Sequence, residues 1–190
     1  RGTPYIYQGE ELGMTNAHFT RLEEYRDVEA INYYHILRDS GSSEAEALNV
    51  LANRARDNSR TPMQWNSSTN AGFTEGKPWL PVHEDFSACN VAVEDSDANS
   101  VLNFYRKLSV LRNSNDVLIA GDYEELYPDN EELYIFTRSL GGKKFMTVIN
   151  FTTHKVNLPN KILDGAKKIL GNYADEKNYL RATEAAIYEF

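Results

Sequence analysis

The chain opens with the stretch Gly2-Thr3-Pro4-Tyr5-Ile6-Tyr7-Gln8-Gly9-Glu10-Glu11-Leu12-Gly13. Residues 3–8 have the composition of a short buried strand, and the glycines that follow mark a turn. A buried strand must pair its backbone amide and carbonyl groups with a neighbouring strand. The first part of the chain offers helices and a long loop but no second strand, so we expect the partners of residues 3–8 to lie upstream, in a larger protein.

Helical patterns follow the turn. The predicted helices cover about residues 23–38, a segment that starts at Ser43, and residues 97–112. In the first helix, Val28 and Ile31 recur at helical spacing and are expected on the buried face. In the second, Ser43 and Glu46 have the spacing of a capping box, which fixes the start of a helix.

A long segment without sustained periodicity covers about residues 57–95 and is rich in Asn, Ser, Thr, Gly and Pro. A loop of that length in a folded protein is usually functional or disordered. Its two tryptophans, Trp65 and Trp79, indicate an ordered loop, and we expect their rings to anchor it. Glu10 and Glu11, just after the predicted strand, are expected to fix the turn by hydrogen bonds.

The pattern changes after Asn113 to short alternating runs separated by Asn, Asp, Gly and Pro, which is typical of antiparallel strands. Strands are predicted near residues 117–127, 132–139, 144–151, 154–158, 166–171 and 184–190, and Gly141-Gly142 predicts a hairpin turn. The chain is therefore divided into residues 1–113 and an all-β domain of residues 114–190. In the β domain we expect Tyr134 to pack inward.

Composition excludes several classes of function. The 190 residues carry a formal charge of −8, with 28 acidic against 20 basic residues, so nucleic-acid binding is not expected. No apolar run is long enough to span a membrane. The single cysteine, Cys89, is compatible with a reducing cytoplasm, which is the expected location. The four histidines lack zinc-ligand spacing, so neither a metal nor another cofactor is expected.

Three stretches of the sequence resemble one enzyme family. They are residues 2–16, already quoted in part; the run Arg56-Asp57-Asn58-Ser59-Arg60-Thr61-Pro62-Met63-Gln64-Trp65 with Ala71-Gly72-Phe73-Thr74 and Pro78-Trp79; and Asn90-Val91 with the helix of Ser100 to Arg112. The sequences, order and spacing of these stretches resemble those of matching segments in the α-glucosidases of glycoside hydrolase family 13. The resemblance is to the group of oligo-1,6-glucosidases, glucan-1,6-glucosidases, trehalose-6-phosphate hydrolases and sucrose isomerases. The resemblance runs from residue 1 to residue 190.

This resemblance implies an α/β fold. Residues 1–113 would be the C-terminal part of a (β/α)8 barrel, with its eighth strand at Thr3–Gln8, a long loop at the barrel's C-terminal face and the last helices. Residues 114–190 would form an antiparallel β-sandwich. The remainder of the same barrel is then the expected partner of this chain.

The resemblance also implies a retaining mechanism with an Asp nucleophile, a Glu acid and a second Asp. In the family these residues lie on the fourth, fifth and seventh strands, so the chain is expected to hold no catalytic carboxylate and to be inactive alone. By resemblance, Arg56 contacts the non-reducing glucose and Glu29 lines the subsite of the leaving sugar. Asp57 either contacts the sugar or orients Arg56.

The implied function is hydrolysis of α-1,6-glucosidic bonds in isomaltose-like oligosaccharides by the parent protein. Fragments of a trehalose-6-phosphate hydrolase or of a sucrose isomerase are the alternatives within the family. An alternative of another class is a non-catalytic carbohydrate-binding or structural module. That alternative would need an exposed aromatic platform in the β domain, for which Tyr123, Tyr127 and Tyr134 are the candidates.

Overall fold

A computed structural model describes residues 2–190. It divides the chain into two compact units, one of residues Tyr5–Asn103 and one of residues Phe104–Phe190 with residues 2–4. The division falls inside a helix, Val101–Asn113, ten residues before the boundary expected from the sequence pattern. The assignment of residues 1–113 and 114–190 to separate domains stays a prediction.

The first unit holds helices α1 (Val28–Asp39), α2 (Glu44–Arg54) and α3 (Val91–Ser96), and the start of α4 (Val101–Asn113). Helix α1 begins later than residue 23 because Asp27 caps it, with Oδ1 accepting the amide of Glu29 at 3.3 Å. Its buried face carries Ala30 and Tyr34, whereas Val28 is exposed. The buried face of α1 is therefore rotated by part of a helical turn from the face that the sequence predicts.

Helix α2 starts where the sequence predicts. Ser43 Oγ accepts the amide of Glu46 at 3.3 Å, and Glu46 Oε2 accepts the amide of Ser43 at 2.7 Å, so the capping box is present. Helices α1 and α2 share one apolar core of buried side chains: Ala17, Phe19, Tyr25, Ala30, Tyr34, Ala47, Leu51, Ala55 and Leu80. This core holds the two helices that flank the candidate site.

The long loop is ordered by polar contacts, not by its tryptophans. Both Trp65 and Trp79 are exposed, so the expectation that their rings anchor the loop is wrong. Gln64 is fully buried and donates from Nε2 to Asp85 Oδ1 at 3.0 Å and to the carbonyl of Cys89. His83, also buried, lies 2.9 Å from the carbonyl of Asn16 through Nε2. The loop therefore closes on itself and on the turn after residue 8.

The predicted strand of residues 3–8 is not observed as a buried strand. It is assigned no strand and pairs with no other segment among the described residues, and Tyr5 is 91% exposed. No strand of residues 2–190 pairs with this segment, and the sequence analysis places its partners upstream, so its pairing as a strand in a longer protein stays a prediction. The turn after it is as predicted, with Glu10 Oε2 accepting the amide of Tyr7 at 3.1 Å and Glu11 Oε2 that of Gly9 at 2.8 Å.

The second unit is built on an antiparallel sheet of five strands in the order β1-β2-β3-β7-β5. The strands are β1 (Asp122–Leu126), β2 (Leu133–Leu140), β3 (Lys143–Asn150), β5 (Lys167–Gly171) and β7 (Ala185–Glu189), and a two-stranded sheet joins β4 (Val156–Asn157) to β6 (Tyr179–Leu180). The hairpin of β2 and β3 turns at Gly141-Gly142, both at positive φ, as the sequence predicts.

The core of this unit lies on one face of the five-stranded sheet. Buried side chains of β2, β3 and β7 pack there with Val156 and Leu180 from the small sheet: Leu133, Ile135, Met146, Val148, Ala186 and Tyr188. The expected strand at residues 117–127 is correct only in its second half, because helix α5 (Asp116–Ala120) precedes β1. Strand β6 was not foreseen, since two residues carry no alternation.

Tyr134 does not pack inward as predicted. It alternates with the core residues Leu133 and Ile135 on β2 and therefore lies on the opposite face of the sheet. Its hydroxyl is 2.8 Å from that of Tyr123.

Asn150 at the end of β3 is the main polar group inside the β domain. It is buried, and its Nδ2 donates to the carbonyls of His154 at 2.8 Å and Arg181 at 2.7 Å, while Oδ1 accepts the amide of Thr152 at 2.8 Å. Asn150→Ala is expected to lower the free energy of unfolding by about 2–3 kcal/mol, because buried backbone groups lose their partners. Urea denaturation of the 190-residue chain measures this loss.

The matched control is Asn160→Ala, an exposed asparagine in the same unit, which should change stability by less than about 0.5 kcal/mol. Equal losses in the two variants would contradict the role assigned to Asn150.

Candidate functional site

Asp57 lies at the base of the candidate site. Its side chain is fully buried, and Oδ2 accepts the backbone amides of Arg26 at 2.6 Å and Asp27 at 2.8 Å. The other oxygen, Oδ1, has no hydrogen-bond partner in the described chain, and its nearest cation is Arg60 Nη1 at 3.9 Å. Asp57 therefore fixes the backbone that enters α1 against the 3-10 turn of Arg56–Ser59.

Arg56 points out of the same turn and meets Asp27 side-on. Its Nε donates to Asp27 Oδ2 at 3.1 Å and its Nη2 donates to Asp27 Oδ1 at 2.7 Å. This two-point geometry matches the planar guanidinium to the carboxylate plane and fixes the orientation of both. Asp27 is buried, whereas the Arg56 side chain is 60% exposed. The guanidinium of Arg56 is thus fixed on one side by the buried Asp27 and exposed to solvent on the other.

Glu29 joins the cluster from the first turn of α1. Its Oε2 lies 3.0 Å from Arg56 Nη2, and its side chain is exposed. The hydrogen bonds from Arg56 hold the pKa of the Asp27 carboxyl below its usual range, and Asp27 in turn raises the pKa of Arg56. Asp27 and Arg56 therefore both remain charged at neutral pH.

The Arg56 guanidinium has N–H donors that no residue of the described chain uses. An arginine carries five N–H groups, and in Arg56 those on Nε and Nη2 face Asp27 and Glu29. No residue in the described chain accepts from Nη1. Two directed N–H donors are available there for a ligand with acceptor oxygens, such as the hydroxyls of a sugar.

Arg56 borders two cavities of about 380 and about 390 Å³. The first is lined by the turn after residue 8 and by Asn53, Asn58 and Thr61. The second lies between α1 and α2 and includes Asp27, Glu29 and Tyr33. The structure thus brings Arg56 and Glu29 together at an open site, while Asp57 lines neither cavity.

The sequence pattern did not single out Asp27, which links Asp57, Arg56 and the start of α1 in this site. The available signal was its position before Val28, where an Asp is a preferred helix N-cap. The same carboxylate caps α1 and binds Arg56, so one residue couples the helix start to the site.

Among residues 2–190, no three or more His, Cys, Asp or Glu side chains are grouped so as to hold a metal ion. Within the same residues, every helix is too short or too polar to cross a membrane.

Comparison with known proteins identifies the class. Residues 1–121 match the model of the α-amylase catalytic domain. The oligo-1,6-glucosidase of Parageobacillus thermoglucosidasius is 41% identical over 199 residues, which cover 100% of this chain and 35% of that protein. The trehalose-6-phosphate hydrolase of Escherichia coli K12 is 45% identical over 152 residues, covering 80% of this chain and 28% of the relative.

Solved structures agree. The crystal structure of Bacillus licheniformis trehalose-6-phosphate hydrolase superimposes with a TM-score of 0.93 at 40% identity, covering 100% of this chain and 36% of that one. The chain belongs to the α-amylase family, glycoside hydrolase family 13. It spans about 35% of the length of the relatives it matches.

Asp57→Ala removes the acceptor of two backbone amides at the entry of α1. We expect the free energy of unfolding to fall by about 2–3 kcal/mol, since those amides would stay buried without a partner. Urea denaturation provides the measurement, with Asp39→Ala as the control, because Asp39 is an exposed carboxylate at the other end of the same helix. A loss no larger than that of the control would show that Asp57 does not hold this junction.

Asp27→Asn is expected to change the pH dependence of stability. The pKa of Asp27 is lower in the folded chain, so its charge stabilises the fold above the unfolded-state pKa and loses this effect as pH falls through the folded-state pKa. The stability difference between the unmodified chain and Asp27→Asn should therefore shrink between about pH 7 and about pH 2. Urea denaturation across that range tests this.

Arg56→Gln is the companion variant for the same experiment, because it removes the donor and keeps the Asp27 carboxyl. It should give the same flattening of the pH profile. A stability difference that stays constant with pH in both variants would mean that the ion pair does not perturb Asp27 in solution.

Proposed function

We propose that the chain is the C-terminal part of a retaining α-glucosidase that hydrolyses α-1,6-glucosidic bonds of isomalto-oligosaccharides. The observation that carries the proposal is Arg56, held side-on by buried Asp27 with Glu29 beside it and two N–H donors facing outward. A hydroxyl-rich ligand fits those donors and the flanking carboxylate. The likeness to the oligo-1,6-glucosidase of P. thermoglucosidasius supports the choice of substrate.

In this proposal the residues have distinct roles. Arg56 binds the hydroxyls of the non-reducing glucose, and Glu29 lines the subsite of the leaving sugar. Asp57, which is buried and lines neither cavity, is a positioning residue that holds Asp27 and, through it, Arg56. The proposal places the protein in the cytoplasm, in line with its single cysteine.

The catalytic Asp, Glu and Asp are proposed to lie outside residues 1–190. The carboxylates at the cavities are already engaged, since Glu10 accepts from a backbone amide and Asp27 is paired with Arg56. The exposed, unpaired segment around Tyr5 supports its assignment as the eighth strand of a barrel whose other strands belong to the same protein. Residues 114–190 are proposed to form an antiparallel β-sandwich domain that follows the barrel in the sequence. The 190-residue chain alone is therefore proposed to be inactive.

A second candidate within the family is a trehalose-6-phosphate hydrolase, favoured by the identity to the E. coli enzyme and by the structural match. A sucrose isomerase is the third. These candidates differ in substrate, so one assay separates them: the complete protein is offered isomaltose, trehalose 6-phosphate and sucrose, and the products are identified by chromatography.

We expect the complete protein to release glucose from isomaltose and the 190-residue chain to release none. Arg56→Ala in the complete protein should lower kcat/KM by roughly 10- to 100-fold, because hydrogen bonds from a charged group contribute about 1.5–3 kcal/mol. Arg38→Ala on the same unit removes an exposed arginine outside both cavities and serves as the control.

Each alternative has its own signature. Cleavage of trehalose 6-phosphate but not isomaltose would replace the proposed substrate. Conversion of sucrose to an isomer would indicate the isomerase. Absence of turnover with all three sugars by the complete protein would leave only the non-catalytic role, and turnover by the 190-residue chain alone would contradict the placement of the catalytic residues.

A further inference from the structure

A strip of aromatic rings lies on the sheet face opposite the core of the β domain. It consists of Tyr123 on β1, Tyr134 and Phe136 on β2, and Phe151 just after β3, and is called the aromatic strip below. Ring centroids are separated by 5.6 Å from Tyr123 to Phe136, 5.3 Å from Phe136 to Tyr134 and 6.4 Å from Tyr134 to Phe151. The interplanar angles of 34°, 43° and 32° mean that neighbouring rings are only moderately inclined to one another.

The ends of the aromatic strip are open to solvent. Phe151 is 72% exposed and Tyr123 is 48% exposed. Exposed rings at adjoining positions cost solvation free energy, since each could bury apolar area if it had a partner. These rings are not part of the apolar core of the β domain, which lies on the other face of the sheet.

Polar groups beside the rings form an ordered chain of acceptors. The Tyr123 hydroxyl donates to Glu125 Oε2 at 3.1 Å, so its single proton is used and the Tyr134 hydroxyl, 2.8 Å away, must be the donor to Tyr123. The remaining lone pairs of Tyr134 and the second oxygen of Glu125 have no donor in the described chain. The aromatic strip therefore offers ring faces together with acceptors that need hydroxyl donors.

Charge decides which class of ligand fits. On the strip's own face β1 carries Glu125, and the turn of residues 127–132 adds Asp129, Glu131 and Glu132 with no Lys or Arg. Arg138, opposite Tyr123 on β2, is buried and donates to the backbone carbonyls of Gly121 and Ile119. A phosphate, a nucleic acid or an anionic lipid surface would be repelled by this border. A neutral sugar matches, since its C–H face packs on aromatic rings and its hydroxyls donate to the free acceptors.

We propose that the aromatic strip is a second binding site for neutral oligosaccharides, separate from the cluster of Arg56 and Glu29. Two to three sugar rings would lie along the four aromatic rings, with hydroxyls donating to Glu125 and Tyr134. This site does not depend on the proposed glucosidase activity, because its residues and those of the Arg56 cluster belong to different units.

Isothermal titration calorimetry of the full 190-residue chain with isomaltotriose and maltotriose tests the proposal. Phe151→Ala and Tyr123→Phe are the two informative variants. The first removes the most exposed ring after the end of a strand, and the second keeps the ring and removes the hydroxyl that links Tyr134 to Glu125. We expect weak binding that Phe151→Ala reduces by about tenfold and Tyr123→Phe by less.

Two controls separate this site from other causes of lost binding. Tyr127→Asn alters an exposed tyrosine of the same unit that makes no ring contact with the strip, and Asn tolerates the positive φ of that position. Arg56→Ala disables the proposed glucosidase site. Neither control should change the affinity, and circular dichroism should show all variants folded.

Four binding results with the trisaccharides would overturn the proposal. They are no binding of either trisaccharide, binding that Phe151→Ala leaves unchanged, binding lost in Arg56→Ala, and no binding at the strip in the complete protein, where another segment would then cover it. Self-association that Phe151→Ala abolishes would make the strip an interface between copies of the chain and would overturn it equally. A cationic peptide that binds the strip in place of the sugars would do the same.

Discussion

The buried carboxylate of Asp57 is the constraint on which the first unit depends. One of its oxygens, Oδ2, accepts hydrogen bonds from two consecutive backbone amides, those of Arg26 and Asp27. These bonds join segments about thirty residues apart in the chain. A charged group this deep is tolerated only where amide dipoles replace water. Because the contact is made to backbone and not to side chains, it fixes where α1 begins whatever its surface residues are.

From that junction the geometry of the site follows in sequence order. Asp57 points inward, so the preceding residue, Arg56, points outward. The fixed backbone of Asp27 lets its carboxylate do two things at once, capping α1 and receiving Arg56 side-on. Glu29 then comes within reach of the same guanidinium because it lies two residues further along the capped turn. The site is thus rigid although its arginine is exposed, which favours specific hydrogen bonds over adaptable ones.

Local chemistry was predictable from the sequence, and choices that depend on distant partners were not. The capping box of Ser43 and Glu46 and the Gly141-Gly142 hairpin involve residues a few positions apart, and both are present as predicted. The buried face of α1 was displaced because nothing in its own pattern says that Tyr34, and not Val28, meets the core shared with α2.

The residues of the candidate site also differ in how far the sequence could predict them. Arg56 and Glu29 could be singled out only through the family resemblance, and Asp27 was missed because its second partner is 29 residues away. Tyr134 was assigned to the wrong face because an aromatic residue in a strand suggests burial. The alternation with Leu133 and Ile135 contained the correct answer, since a strand has only two faces.

Two of the exposed apolar surfaces among residues 2–190, the segment around Tyr5 and the aromatic strip, have different physical explanations. The segment around Tyr5 has unpaired backbone groups as well as exposed rings, and only another strand satisfies both needs. On the aromatic strip the backbone is already paired within the sheet, so a partner has to satisfy only ring faces and a few acceptor oxygens. A strand edge therefore requires more polypeptide, whereas a fully paired sheet face can be completed by a ligand as small as a sugar. That distinction, drawn from hydrogen bonding alone, is why we propose that the first surface pairs with further strands and that the second binds oligosaccharides.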